Sequence, residues 1–222
     1  VNLRQQGVQG AEILKIVKNI TKFSVSLTKK TNFKKILTKC INIAKNKRNG
    51  PVWIEVPLDI QAQLTNKKIN LKKSKSKNIE TNNFNFFKFK KLIINAKRPI
   101  FLIGHGVRLS NASKLFKKNL KNYPFPSVFT WNAMDILPYE HNLNCGRPGV
   151  VAQRFSNFVV QNSDLIISIG CRIDNIITAF NQNKFAQHAK KIIVDIDINE
   201  LKKFKFKIDM TLNMDASKFI NT

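Results

Sequence analysis

Acidic residues are scarce in this chain: its 222 residues include 13 Asp and Glu against 39 Lys and Arg, for a formal net charge of +26. Cysteine and histidine are scarcer still, with three of each. Cys40, Cys145 and Cys171 are odd in number, lie far apart and form no CxxC pair, which excludes a disulfide framework and a zinc site and fits a reducing cytoplasm. None of His105, His141 and His188 stands three or four residues from another ligand in a metal-binding pattern, so no metal centre is expected. No apolar run reaches the ~20 residues that a membrane-spanning helix needs, and no charged start leads into an apolar stretch with a small-residue cleavage site. The expectation is a soluble cytoplasmic protein with no membrane segment. No fixed-period repeat is present, which sets solenoids aside.

What is abundant narrows the class further. Hydrophobic residues make up 43% of the chain, too many for disorder and enough for one good core or two small ones. The basic excess raises nucleic acid as a partner, because Lys and Arg displace counterions from phosphate. However, the lysines are spread along the whole chain and accompany abundant Asn, Ile and Phe, the composition of A+T-rich coding sequence. Helix-turn-helix, Cys/His finger and aromatic-plus-basic strand motifs are all missing, so specific nucleic-acid binding is not expected.

Periodicity divides the chain in two. Phe33, Ile36, Leu37, Cys40, Ile41 and Ala44 form one stripe of an amphipathic helix over residues 31–48, with lysines 34, 35, 39, 45 and 47 on other faces. Asn49-Gly50-Pro51 is expected to stop it, with Gly50 as a left-handed cap, before a short strand from Val52 to Val56. The lysine-rich stretch 66–77 reads as a solvated tether. After it, Phe84, Phe87, Leu92 and Ile93 suit a helix that ends near Lys97, ahead of Arg98-Pro99. Then short apolar runs alternate with helical stretches: Ile100–Ile103, a helix near 110–121, Ser127–Thr130, a helix near 150–161, Leu165–Ile169 and Ile192–Ile196. That alternation predicts an α/β protein, with a Rossmann-like doubly wound parallel sheet preceded by the C-terminal part of a second α/β domain. The expected boundaries are 1–64, a linker and connecting helix over 65–97, and 98–222.

Three strand ends carry candidate chemistry. Gly104-His105-Gly106-Val107-Arg108 places a Gly-x-Gly turn between strand and helix, where glycine permits close approach of a phosphate; a tight turn explains it equally well, since Leu109 stands where the dinucleotide fingerprint has its third glycine. Gly170-Cys171-Arg172-Ile173-Asp174 follows the next buried strand, and Asp195-Ile196-Asp197 closes the one after. Arg172 and Asp174 suit a ligand crevice, and main-chain amides at Gly104 and Gly170 together with Asp195 suit a nucleotide. Helix capping is the plainer role for the aspartates, Asp197 above all, as is an ion pair with one of them for Arg172. A small buried thiol is the plainer role for Cys171.

The ordered motifs, rather than any single one, carry a family resemblance. Gly50-Pro51-Val52-Trp53-Ile54-Glu55-Val56-Pro57-Leu58-Asp59-Ile60-Gln61, with Ile20-Thr21-Lys22 and Gln9 before it, resembles the end of the pyrimidine-binding domain of thiamine-diphosphate enzymes of the acetolactate synthase type. Arg98 to Arg108, Phe125 to Thr130, Gly146 to Asp174 and Lys191 to Leu201, which holds the final strand, are similar to their central domain. The resemblance implies a fragment of an enzyme that uses thiamine diphosphate and Mg2+ to decarboxylate a 2-keto acid such as pyruvate and transfer the product. It also implies a homo-oligomeric parent working in branched-chain amino acid biosynthesis. FAD or ADP is expected in the central domain at Gly104, Gly106, Arg108, Thr130, Gly170, Arg172, Asp174, Asp195 and Ile196. The family's Leu-Met-Gly is Trp131-Asn132-Ala133 here, and its Met-His-Gly is Val150-Val151-Ala152. The Gly-Asp-Gly motif that holds Mg2+ is missing, and no glutamate matches the catalytic one, so no catalytic or metal residue is assigned and the segment alone is expected to be inactive. A non-catalytic FAD- or ADP-binding module, or another thiamine-dependent decarboxylase or lyase, is the alternative.

Overall fold

The structure is a computed structural model that describes residues 7, 8, 10–46, 48–63 and 84–222; Gln9, Lys47 and the tether expected over 66–77 lie outside these. The chain forms two compact units, divided between Asn78 and Ile79.

In the first unit, α1 (Ile13–Val17), β1 (Phe23–Ser26), α2 (Phe33–Lys45), β2 (Val52–Glu55) and α3 (Leu58–Gln61) follow one another, and β1 pairs with β2 in parallel from Phe23–Val52 to Ser26–Glu55. Helix α2 starts where expected because Asn32 caps it, its side chain accepting the Lys35 N–H at 3.0 Å. Its end differs from the expectation. Asn46, extended at φ −80° and ψ 133°, ends the helix, and Gly50 is not left-handed. The exposed carbonyls are capped instead from β1's side of the chain, where the Lys22 ammonium donates to Ile43 O at 2.7 Å, Asn46 O at 2.9 Å and Arg48 O at 2.9 Å.

The second unit contains α4 (Phe86–Ile94), β3 (Pro99–Ile103), α5 (Gly106–Leu109), α6 (Ser113–Asn119), β4 (Ser127–Phe129), α7 (Arg154–Asn162), β5 (Leu165–Ile169), β6 (Lys190–Asp195), α8 (Ile198–Lys202), β7 (Met210–Asn213) and α9 (Ala216–Ile220). Its sheet is wholly parallel, in the order β4-β3-β5-β6-β7. The chain therefore starts in the interior, moves outward to β4, and returns past β3 to build the other half. This reversal places a switch point between β3 and β5, of the kind where doubly wound sheets open a ligand crevice at the strands' carboxyl ends.

Strict alternation explains why the strands read as continuous apolar runs. Ile103, Leu165, Ile167, Ile169, Ile192 and Val194 join one core with α4, α6 and α9; Ile100, Leu102, Ile166 and Ile193 join the other with α7 and α8. Both faces of the sheet are buried, and each aliphatic side chain so enclosed contributes about 1.5–3 kcal/mol relative to exposure. The helix expected near 110–121 is α6, which starts only at Ser113 because Asn111, at φ 57°, separates it from the short α5. One expectation needs correction. The final strand is β7 rather than the one beginning at Lys191; it is a short edge strand with alternate residues buried, a weaker signal than its neighbours give.

The candidate site at the carboxyl edge of the sheet

Parallel pairing brings the singled-out strand ends to one edge. Ile103 is level with Phe129 and Ile169, Ile169 with Val194, and Asp195 with Asn213. One residue further on, the ladder continues: Thr130 N–H donates to Ile103 O at 2.9 Å, Gly104 N–H to Ile169 O at 3.0 Å, and Gly170 N–H to Val194 O at 2.9 Å. Thus Thr130, Gly104, Gly170 and Asp195 form adjacent stations of a single rim, as expected from order along the chain.

The glycines there bring two turns into backbone contact. Gly106 N–H donates to Gly170 O at 3.0 Å, so the amides of Gly104, Gly106 and Gly170 are all committed within the protein. A β-carbon on Gly104 would lie 2.1 Å from Gly170 O, and one on Gly106 would lie 2.7 Å from the Gly170 α-carbon. These residues are glycine because the two turns pack backbone against backbone, and Gly170 also holds φ at 56°. Those three N–H groups are taken within the protein, and the charge at this edge is a matter of side-chain chemistry.

Two guanidinium groups dominate that chemistry. Arg108, at the end of α5, pairs with Asp135, the side chains being 40% and 69% exposed. Arg172 lies 3.3 Å from Glu200, a carboxylate only 10% exposed that also pairs with Lys203. Arg172 thus pairs with Glu200, a carboxylate that the sequence had not singled out for it. The aspartates shape the backbone: Asp174 Oδ1 accepts the N–H groups of Ile176 and Ile177 at 3.0 and 3.1 Å, Asp195 Oδ1 accepts that of Asp197 at 2.9 Å, and Asp197 caps α8 through Asn199 N–H at 3.0 Å. Ile196 is half-buried just beyond β6. Cys171 is 2% exposed, and burial pushes its thiol up to about 12, so it is an unreactive neutral group.

Sequence reasoning missed Asp135 and Glu200. Glu200 sits three residues before Lys203, a legible helical pair, but nothing in spacing links it to Arg172 across 28 positions' worth of chain, roughly one strand and its loops. His105 Nδ1, 2.9 Å from Asn132 O, ties the Gly104 turn to the segment after β4. Among the described residues no cluster of His, Cys, Asp and Glu could hold a metal, and no helix is long and apolar enough to cross a membrane.

Comparison with known proteins agrees with this architecture. The family profile described as thiamine pyrophosphate enzyme, central domain, matches residues 88–222. The chain is 32% identical over 214 residues to the probable acetolactate synthase large subunit of Methanococcus aeolicus, covering 94% of this chain and 35% of that protein. It is 30% identical over 189 residues to the acetolactate synthase isozyme 1 large subunit of Escherichia coli, covering 84% and 33%. The acetolactate synthase large subunit of Lactococcus lactis is 26% identical over 210 residues, covering 91% and 36%. The chain spans about a third of the length of these curated relatives. With the parallel sheet and its reversal between β3 and β5, the match over residues 88–222 places this chain in the thiamine pyrophosphate enzyme family, as a bearer of that family's central domain.

Proposed function

We propose that the chain is part of a longer, thiamine-diphosphate-dependent polypeptide of the acetolactate synthase type. The whole would decarboxylate a 2-keto acid such as pyruvate and join the remaining two-carbon unit to a second carbonyl, in the cytoplasm and as a homo-oligomer, serving branched-chain amino acid biosynthesis. The observation that carries this reading is the likeness to acetolactate synthase large subunits, which covers 94% of the chain in one of them and so reaches both structural units. In this reading residues 1–64 end the pyrimidine-binding domain, 65–97 connect, and 98–222 form the central domain.

Thiamine diphosphate supplies an electron sink for the carbanion left by decarboxylation. The residues present do not fit that group. There is no Gly-Asp-Gly for the Mg2+ that accompanies the diphosphate, and no acidic cluster among the described residues replaces it. No catalytic step is assigned to this chain, whose role is to bind and to position.

The binding role falls to the carboxyl edge. Arg108 and Arg172 are partly exposed guanidiniums, each beside a carboxylate, and planar forks of this kind suit the phosphates of FAD or ADP. Thr130, Asp174, Asp195 and Ile196 stand beside them on the rim, with Gly104, Gly106 and Gly170 fixing its shape.

The test is to assay the product of the complete coding sequence with pyruvate. Formation of acetolactate that requires thiamine diphosphate and Mg2+ is expected, with none from residues 1–222 alone. A full-length product that turns over no 2-keto acid under those conditions would refute the reading. Mass spectrometry of the purified protein should show FAD or ADP, depleted when Arg172 is replaced by Ala.

A further inference from the structure

The other end of β6 carries a depression that the carboxyl-edge reading does not use. It lies between the segment Asn183–Lys190 and the segment Phe206–Asp209, with a cavity volume of about 410 Å3, within the range of small-ligand sites. Lys190, Lys191, Lys207 and His188 line it, while Asp209 is the single carboxylate among its lining residues. That carboxylate is already engaged, its Oδ2 accepting the Lys191 N–H at 3.0 Å. The local field is therefore positive, and an anion entering it relieves repulsion among the lysines.

Lys191 shows how far this charge has been taken out of water. The residue is 5% exposed, and its ammonium donates to Ala186 O at 2.7 Å and Ala189 O at 2.8 Å, with the Phe206 ring centroid at 5.4 Å. Burial lowers its pKa, and the nearby Asp209 offsets only part of that cost. Neutral carbonyls and a ring face solvate the ammonium without neutralising it. Phe206 supplies the apolar half of the depression: its ring is stacked on Phe204 at 4.8 Å and tilted against buried Phe185 at 5.7 Å, which holds it as a fixed wall.

We propose that this depression binds a small phosphate ester bearing an aromatic ring, with the phosphate among Lys190, Lys191 and Lys207 and the ring against Phe206. Aryl phosphates and nucleoside monophosphates share this chemistry. Calorimetric titration of residues 1–222 with phenyl phosphate should saturate with a Kd below about 1 mM at low salt. Reversing charge at the exposed rim, Lys190→Glu with Lys207→Glu, should weaken binding at least about tenfold by removing two attractive charges and adding two repulsive ones. The pair Lys114→Glu and Lys118→Glu on α6 changes net charge equally and should leave the affinity within about twofold. Inorganic phosphate should bind more weakly than phenyl phosphate, and binding of AMP that is tighter than that of phenyl phosphate and is weakened by the Lys190→Glu, Lys207→Glu pair would identify a nucleotide as the source. No saturation, or equal weakening by the two lysine pairs, would overturn the proposal; equal affinity for inorganic and phenyl phosphate would remove the ring from it.

Discussion

Lys22 runs through the space that a side chain at Gly50 would need: a β-carbon there would stand 2.8 Å from Lys22 Cδ and 3.1 Å from Cγ. The lysine cannot move aside freely, because all three ammonium hydrogens are used on Ile43, Asn46 and Arg48 carbonyls. Gly50→Ala should therefore destabilise the protein by about 1–2 kcal/mol and Lys22→Met by about 1 kcal/mol, water replacing part of the lost cap. Adding Gly50→Ala to Lys22→Met should cost much less than adding it to the native chain, since the obstructing stem is then free to shift. Urea unfolding of the four proteins measures the coupling, and strict additivity would contradict the arrangement.

The contact between Gly106 and Gly170 is less forgiving because both sides are backbone. Gly106→Ala and Gly104→Ala would force a methyl to 2.7 Å from the Gly170 α-carbon and 2.1 Å from its carbonyl oxygen. Each should cost about 3 kcal/mol or more, seen as a lower urea midpoint or as insoluble protein. Gly7→Ala, with nothing within 4 Å of the new methyl, is the control and should leave the midpoint unchanged.

Asp164 should govern part of the acid stability of the sheet. Burial by itself would raise its pKa, but N–H donation from Lys97 at 2.7 Å and Arg98 at 2.8 Å, together with the Arg98 charge, outweighs burial and holds it below the ordinary carboxylate range. A depressed folded-state pKa means that the unfolded chain binds the proton first on acidification. The contribution is present above the unfolded value, about 3.9, and is lost as pH falls through the lower folded value. Asp164→Asn should lower stability at pH 7 and flatten its dependence on pH below about 4, as followed by thermal unfolding across that range.

Cys171 should be silent toward alkylation in the folded protein. With its thiol pushed up to about 12 and 2% exposed, it has almost no thiolate at pH 8. Cys145, partly exposed although burial raises its thiol too, should be labelled first by iodoacetamide, and Cys171 only after urea is added. Peptide mapping by mass spectrometry distinguishes the order, and native-state labelling of Cys171 ahead of Cys145 would show that the β5 turn opens.

Much of the architecture was written in local pattern. Leu165–Ile169 is the strand that its apolar run predicts, residue for residue, because a strand buried on both faces needs no polar position. Asp197 caps α8 as its place ahead of Asn199-Glu200-Leu201 suggests, because an N-cap bond spans only two residues. The Gly50 cap shows the limit. Helix α2 does end ahead of Gly50, but the group that satisfies its carbonyls comes from Lys22, more than twenty residues back, and local spacing carries no trace of it.

The sequence by itself determined the alternation of strands and helices, the burial of the sheet on two faces and the family, since these depend on apolar periodicity and on motif order along the chain. Only the tertiary structure decided the strand order, the meeting of Gly104 and Gly106 with Gly170, the pairing of Arg172 with Glu200 and of Arg108 with Asp135, and the buried setting of Lys191. Each of these joins residues distant in sequence, and a contact of that kind follows from how whole strands and loops pack, a global balance that no short window of residues contains.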